Sequence, residues 1–263
     1  MKMTRKLIPA LAMLLVSAIM LSTASFAWFA SNNKVTATDM TVTVKTGASF
    51  LEISNAETGT YASSAKASTP KYAGTGLDLV TVRLTGETGK KVVKWYTGVS
   101  DDAGVANPGG TDVSDEERYT EVTTEGNYSV AGNYALINTF YVKMSAGSTS
   151  DVTNFKVSGV STSLAEGASN NNLINAIKVL VVSEDGVELW SYKESESKYA
   201  PEGTGNSELY EVVGDEAKRV DVYIFFDGDH KDAYTNNTVD TDGNFVLDDV
   251  KVTVTFDATI PTT

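Results

Sequence analysis

Oxygen-bearing side chains near the C-terminus are the residues of this sequence best suited to bind a metal ion. Asp240, Asp242 and Asn244 alternate along a glycine-containing turn, and Asp248 follows four residues later. Clustered carboxylate and amide oxygens are the ligands that a hard cation such as Ca²⁺ prefers. The spacing departs from an EF-hand, since Phe245 stands at the sixth position in place of Gly. The sequence therefore offers a candidate calcium site, and a plain acidic turn is the alternative.

Catalysis by a histidine would depend on a single residue, His230. A Ser-His-Asp site needs such a base beside a nucleophile, and zinc hydrolases use motifs with two histidines. His230 lies in a polar turn with Asp227, Asp229 and Asp232, which predicts an exposed loop histidine and a second acidic cluster. The chain contains no cysteine, so thiolate chemistry is excluded. We expect no enzyme activity; a hydrolase with paired carboxylates is the weakest alternative, because sequence spacing does not reveal such pairs.

Two aromatic pairs could stack on sugar rings. Trp95 precedes Tyr96 directly, and Trp190 stands two residues before Tyr192. Alternating residues of a strand point to opposite faces, so one member of each pair faces the core in any case. We expect core packing for these aromatics, with carbohydrate binding as the alternative.

Short runs of alternating apolar residues, separated by turn residues, fill most of the chain after residue 34. The longest runs cover residues 35–45, 134–144, 172–183, 187–192, 219–226 and 250–256. This period of two predicts half-buried strands, and the Glu-Asp-Gly turn at 184–186 predicts a hairpin whose Gly adopts positive φ. Residues 58–75 lack the pattern and predict a loop, whereas residues 168–176 allow short helical turns. The fold expected is an all-β, antiparallel β-sandwich in one domain, residues 28–263.

The net charge limits the partners. The 263 residues carry a formal charge of −13 at pH 7. Such a chain does not bind nucleic acid or an anionic membrane surface through general electrostatics.

The N-terminus has the three parts of an export signal. Lys2, Arg5 and Lys6 precede an apolar run over residues 7–30, with small residues near its end. This pattern predicts a hydrophobic helix that is either a signal peptide, residues 1–27, or a membrane anchor, since the run is long enough to span a bilayer. In both cases the rest of the chain is exported, and the membrane is contacted only through residues 7–30 if they are retained.

The residues around this exit resemble a known group of proteins. The segment Ser22-Thr-Ala-Ser-Phe-Ala-Trp-Phe29, followed by Val35-Thr-Ala-Thr, is similar to the start of SipW-dependent exported proteins of Gram-positive bacteria. These include the TasA/camelysin group of biofilm-matrix fibre subunits. The strand-like run from Arg219 to Phe226, followed by an acidic turn, is also similar. The resemblance implies cleavage by a dedicated signal peptidase between Ala27 and Trp28, and a jelly-roll form of the sandwich. The protease label of camelysin is not carried over, because the chain lacks zinc-ligand motifs.

The resemblance also implies that copies assemble by donating an N-terminal strand into the sheet of a neighbour. An unpaired sheet edge accepts an extended partner through its N–H and C=O groups, and alternate side chains fill pockets. The donor segment spans residues 28–44. Its candidate anchors are Trp28, Phe29, Val35, Met40, Val42 and Val44. The alternative is that residues 35–45 form the first strand of their own sandwich, which leaves residues 28–34 as the donor.

Two functions follow as expectations. The first is a secreted or cell-surface structural subunit of an extracellular fibre or biofilm matrix, with copies of itself as partners and without a cofactor, calcium excepted. The second is a membrane-anchored surface β-sandwich that binds carbohydrate or calcium and does not polymerise.

The calcium hypothesis is tested by thermal unfolding. A site at Asp240, Asp242, Asn244 and Asp248 would raise the unfolding midpoint when Ca²⁺ is added at millimolar concentration, because the ion binds only the folded state. An unchanged midpoint, with Mg²⁺ as the comparison cation, would identify the segment as a plain acidic turn.

Overall fold

The computed structural model describes residue 13 and residues 34–38, 41–46, 50–67, 77–85, 91–98, 119–122, 124–125, 129–130, 134–146, 151–163, 172–203, 208–233, 245–248 and 250–260. Within these residues the chain forms nineteen strands and two short 3₁₀ helices, at Asn172–Ala176 and Lys231–Ala233. The strands are β1 (Lys34–Thr38), β2 (Thr41–Thr46), β3 (Leu51–Ser54), β4 (Ser64–Lys66), β5 (Leu77–Asp78), β6 (Thr81–Thr85), β7 (Val92–Gly98), β8 (Tyr119–Glu121), β9 (Thr124–Glu125), β10 (Ser129–Val130), β11 (Leu136–Met144), β12 (Val152–Ser163), β13 (Ile177–Val182), β14 (Val187–Lys193), β15 (Lys198–Pro201), β16 (Tyr210–Val213), β17 (Lys218–Phe226), β18 (Phe245–Asp248) and β19 (Lys251–Thr259).

The all-β class expected from the sequence is confirmed. The short helical turn expected within residues 168–176 is present at Asn172–Ala176. The expected signal or anchor helix lies outside the described residues, apart from the isolated residue 13. In the described part of the chain, no helix has the length and apolar character needed to cross a membrane.

A six-stranded central sheet is the largest element of the fold. Its strand order is β15-β14-β13-β17-β11-β3, and every neighbouring pair is antiparallel. In β11 buried and half-buried residues alternate along the whole strand, as the sequence predicted for this run. In β13 and β17 the last four residues of each strand are all buried, which shows that both faces of the sheet are covered there.

A second sheet packs on one face of the central sheet. Its order is β16-β12-β19-β2-β4. Side chains from the facing surfaces of the two sheets form one continuous apolar core, which includes Phe140, Val222 and Phe226 from the central sheet and Phe155 and Phe256 from the second. An aromatic contact reinforces it, since the rings of Phe155 and Phe256 lie with their centroids 5.0 Å apart and their planes tilted by 31°. These two sheets are the sandwich that the alternating pattern predicted.

A third layer covers the opposite face of the central sheet. The small sheet β6-β7-β8 places Trp95, together with Val82 and Val93, against Tyr223 and Phe225. The Trp95 ring meets the Phe225 ring edge-on at 5.1 Å and is fully buried. A two-layer sandwich was expected, and the structure adds this third layer.

An antiparallel sandwich was expected, but two pairs of strands are parallel. β1 pairs in parallel with β18, and β2 pairs in parallel with β19. β1 also pairs antiparallel with β5, and β9 pairs with β10. The expected loop at residues 58–75 contains the short strand β4, which pairs with β2 at the edge of the second sheet.

The hairpin predicted at residues 184–186 joins β13 to β14, with Val182 paired to Val187. The reason given for its glycine was wrong, because Gly186 does not adopt a left-handed backbone. A Cβ at this position would instead overlap the carbonyl oxygen of Glu208. The turn is held against the neighbouring segment by Ser183, whose hydroxyl accepts the Gly186 N–H at 2.9 Å and donates to the carbonyl oxygen of Leu209.

Replacing Gly186 therefore tests this close approach. Gly186→Ala is expected to lower the free energy of unfolding by about 1–3 kcal/mol, because rigid backbone must move to admit the methyl group. Urea unfolding at constant pH measures the change.

The matched control is Gly159→Ala in β12, where an added Cβ meets nothing within 4 Å. Its free energy of unfolding should stay within about 0.5 kcal/mol of the parent protein or rise slightly. Equal losses in the two variants would contradict the argument.

Candidate functional site

Strand β2, from the N-terminal part of the chain, lies against β19, from its C-terminal part. We call the edge of β19 and the adjoining core that receive β2 the seat of β2. All six of its residues pair in parallel with β19, from Thr41 opposite Lys251 to Thr46 opposite Phe256. On its other side it pairs with only three residues of β4. Because β4 covers half of that edge, the pairing of β2 depends mainly on β19.

Two of the predicted anchors fill this seat. The side chains of Val42 and Val44 are 1% and 0% exposed and belong to the main core between the two larger sheets. Removing them would uncover their neighbours in β19, Val252 and Val254, which pair with them residue for residue. The seat therefore combines backbone hydrogen bonds with two apolar pockets, which are the two components of strand addition.

The strand before it continues the same arrangement. Val35 lies in β1 opposite Phe245 of β18 on one side and Leu77 of β5 on the other. β1 and β2 thus run in the same direction as β18 and β19, their respective partners in two different sheets. Within a single chain, residues 34–38 and 41–46 thus pair with strands of their own fold, as in the alternative stated from the sequence.

The remaining sequence predictions at the N-terminus lie outside the described residues. These are the cleavage position between Ala27 and Trp28 and the anchors Trp28, Phe29 and Met40.

The predicted calcium ligands are only partly within the described chain. Asp240, Asp242 and Asn244 lie outside it, and Asp248 is the last residue of β18, with its backbone opposite Thr38. The calcium hypothesis accordingly stays a prediction.

The second acidic cluster, in the turn after β17, does not act as one unit. Asp227 is 5% exposed, and its Oδ2 atom lies 2.8 Å from Nζ of Lys178. Its Oδ1 atom accepts hydrogen bonds from the Thr81 hydroxyl and from the Asp229 N–H, each at 3.2 Å. These contacts engage both carboxylate oxygens, and through them Asp227 links the central sheet to the third layer.

Lys178, at the start of β13, contacts two carboxylates, those of Asp227 and Glu202. Its Nζ atom also lies 2.9 Å from Oε1 of Glu202. Burial lowers the pKa of Lys178, but the charges of Asp227 and Glu202 and their hydrogen bonds outweigh that effect and raise it. The ammonium group therefore stays charged, and the three residues form a largely buried ion triad.

His230 was expected to be an exposed loop histidine, and this was wrong. Its side chain is only 17% exposed, and its Nδ1 atom lies 3.8 Å from Oδ2 of Asp232. The ligand atoms of His230 and Asp232 also lie within 4.8 Å of the carboxylate of Glu194, in the turn after β14. Sequence reasoning missed Glu194, since only the order of β14, β13 and β17 in the sheet brings its turn to the histidine.

The aromatic pairs follow the core-packing expectation. Trp95 and Trp190 are 0% and 5% exposed and belong to the two cores. Tyr96 lies under the guanidinium of Arg83, and Tyr192 packs edge-on against Tyr199 at 5.7 Å. Neither tryptophan therefore presents a face for stacking on a sugar ring.

A carboxyl group lies inside the main core. Glu188 of β14 is 2% exposed; its Oε1 accepts the Val157 N–H at 3.1 Å, and its Oε2 accepts the indole N–H of Trp190 at 3.0 Å. Val157 belongs to β12, next to an irregularity in the pairing with β19. Burial raises the pKa of Glu188 to about 7, although both hydrogen bonds act in the opposite direction.

Comparison with known proteins identifies no relative. No protein-family model, curated protein or solved structure matches this chain.

The pKa of Glu188 generates a pH dependence of stability. Its folded value, about 7, lies above the ordinary value of 4.5. A raised carboxyl pKa stabilises the fold fully below the ordinary value, and this stabilisation is lost as the pH rises through about 7. Glu188→Gln keeps the side chain neutral, so its stability relative to the parent should rise by about 2–3 kcal/mol between pH 5 and pH 8.

Urea unfolding of both proteins at pH 5 and pH 8 measures this difference. Glu211→Gln, which changes an exposed glutamate of β16, is the matched control and should show no comparable rise. A difference between Glu188→Gln and the parent that does not vary with pH would contradict the prediction.

Proposed function

We propose that this chain is an exported structural subunit that assembles into an extracellular fibre, on the cell surface or in a biofilm matrix. Copies join when the N-terminal strand of one chain enters the sheet of the next. A signal peptidase would act first, between Ala27 and Trp28, and the two larger sheets would form the jelly-roll-like sandwich of the TasA/camelysin group. The export-like N-terminus and its motif support this proposal.

The observation that carries the proposal is the seat of β2. Parallel neighbours in a sheet need a crossover connection, and here the crossover between β2 and β19 is nearly the whole domain. No short turn therefore fixes β2 to its partner, and a β2 strand from a second chain can make the same contacts. Domain swapping of an identical element in this way is a low-cost route to assembly.

Exchange of β2 explains what each part of the N-terminal segment does. Val42 and Val44 fill the core of the acceptor, and the six backbone pairs with β19 set the register. A head-to-tail exchange that does not close on itself extends into a filament. Because β3 follows β2 in the chain, the stretch between β2 and β3 would then connect adjacent copies.

Cysteine pairs test whether β2 is exchanged. Thr43 and Thr253 are register partners on the half-exposed face of the second sheet, and the chain has no cysteine of its own. Mixing the secreted single variants Thr43→Cys and Thr253→Cys under assembly conditions should give a covalent dimer on oxidation, because each chain contributes one thiol. Denaturing gel electrophoresis without reductant measures the product, and electron microscopy of the parent protein should show filaments.

The control mixture combines Thr43→Cys with Thr255→Cys. Thr255 pairs with Lys45 and is out of register with Thr43 by two residues, about 8 Å away, which is too far for a disulfide. A second outcome is that filaments form without the in-register covalent dimer and that a chain beginning at Val35 forms no filaments. That outcome would identify residues 28–34 as the donor segment in place of β2. Monomers without filaments would overturn the proposal and favour the non-polymerising, anchored surface module.

A further inference from the structure

Three potential metal ligands meet at one end of the central sheet. β14 and β17 both run antiparallel to β13, which lies between them. The C-terminal ends of β14 and β17 therefore lie at the same end of the sheet. Glu194 begins the turn directly after β14, while His230 and Asp232 lie in the segment directly after β17. One ligand atom of each of the three side chains lies within 4.8 Å of the other two.

The Nδ1 atom of His230 lies beside the Asp232 carboxylate and is a hydrogen-bond acceptor. The Asp232 N–H donates to Nδ1 of His230 at 3.2 Å, so Nδ1 acts as an acceptor there and the neutral ring carries its proton on Nε2. The same Nδ1 atom lies 3.8 Å from Oδ2 of Asp232, which is beyond hydrogen-bonding distance. An ion bound at Nδ1 would therefore replace the Asp232 N–H as the partner of this nitrogen, next to the Asp232 carboxylate.

We propose that Glu194, His230 and Asp232 bind one divalent transition-metal ion of the Zn²⁺ type. Neutral imidazole and carboxylate are ordinary ligands of Zn²⁺, whereas Ca²⁺ and Mg²⁺ prefer sites made only of oxygen. Ligand atoms about 2.0–2.1 Å from a tetrahedral ion stand about 3.3 Å apart. The His230–Asp232 separation needs to shorten by about half an ångström, and the exposed Glu194 on its turn moves in to complete the set.

The bound ion would hold together two parts of the sheet that the chain itself does not connect directly. β15, which follows the turn of Glu194, is the edge strand of the central sheet. The segment with His230 and Asp232 extends from β17, a central strand of the same sheet. A metal bridge between them therefore stabilises the edge hairpin. Three protein ligands leave a fourth position for water, or for a ligand group from a second molecule.

Cobalt binding tests the proposal on the full secreted protein without a polyhistidine tag. Co²⁺ takes the same ligands as Zn²⁺, and its visible absorption reports the geometry of its site. We expect one high-affinity Co²⁺ per chain, displaced by Zn²⁺ and not by millimolar Ca²⁺. A hundredfold excess of Zn²⁺ over its Kd should raise the unfolding midpoint by about 5 °C or more.

Variants separate this site from general attraction of cations to an acidic protein. His230→Gln and Glu194→Gln should each weaken Co²⁺ binding by about tenfold or more and abolish its visible bands. Glu194 is exposed, so its variant tests the site even if the histidine variant unfolds. Glu196→Gln, in the same turn, is the matched control and should leave binding unchanged. Weak binding that these changes do not alter, or displacement by Ca²⁺, would overturn the proposal.

Discussion

The burial of both faces of the central sheet is the constraint on which the rest of the structure depends. β13 and β17 lie in the middle of that sheet, and their side chains point alternately into the main core and toward the third layer. Each Å² of apolar surface that is removed from water stabilises the fold by about 25 cal/mol. Two strands buried on both faces therefore contribute far more than half-buried strands do. The second sheet and the small sheet are positioned by covering these two surfaces.

Polar groups inside this packing hold specific elements in register. The ion triad of Lys178, Asp227 and Glu202 fixes the turn after β17 to the central sheet, and the Thr81 hydroxyl connects it to the third layer. Glu188 joins the central sheet to β12 across the main core. Because an unpaired buried polar group is costly, such contacts penalise alternative arrangements of the layers more than they stabilise the correct one.

The sequence predicted the strands better than it predicted their neighbours. The period of two identified β11 and the hairpin of β13 and β14, because the pattern is local. The continuous apolar runs 179–182 and 223–226 are typical of strands covered on both faces, and they were the available signal for a third layer. The polar edge strand β4 has no such pattern. The parallel partner of β2 lies about 210 residues further along the chain, and the meeting of Glu194 with His230 depends on strand order. Neither is encoded in local spacing.

If the chain is exported as proposed above, the parallel pairing of β2 with β19 has a consequence for biogenesis. A chain that is exported from its N-terminus emerges with β2 long before β19 is available, so its valines meet water until translocation ends. Contacts between residues so distant in sequence also close late, which makes the final docking step slow. During that interval a neighbouring molecule at high local concentration competes with the molecule's own C-terminus for the same strand. With export and strand exchange as proposed above, the rate of secretion would set the balance between closure within one chain and joining of two chains.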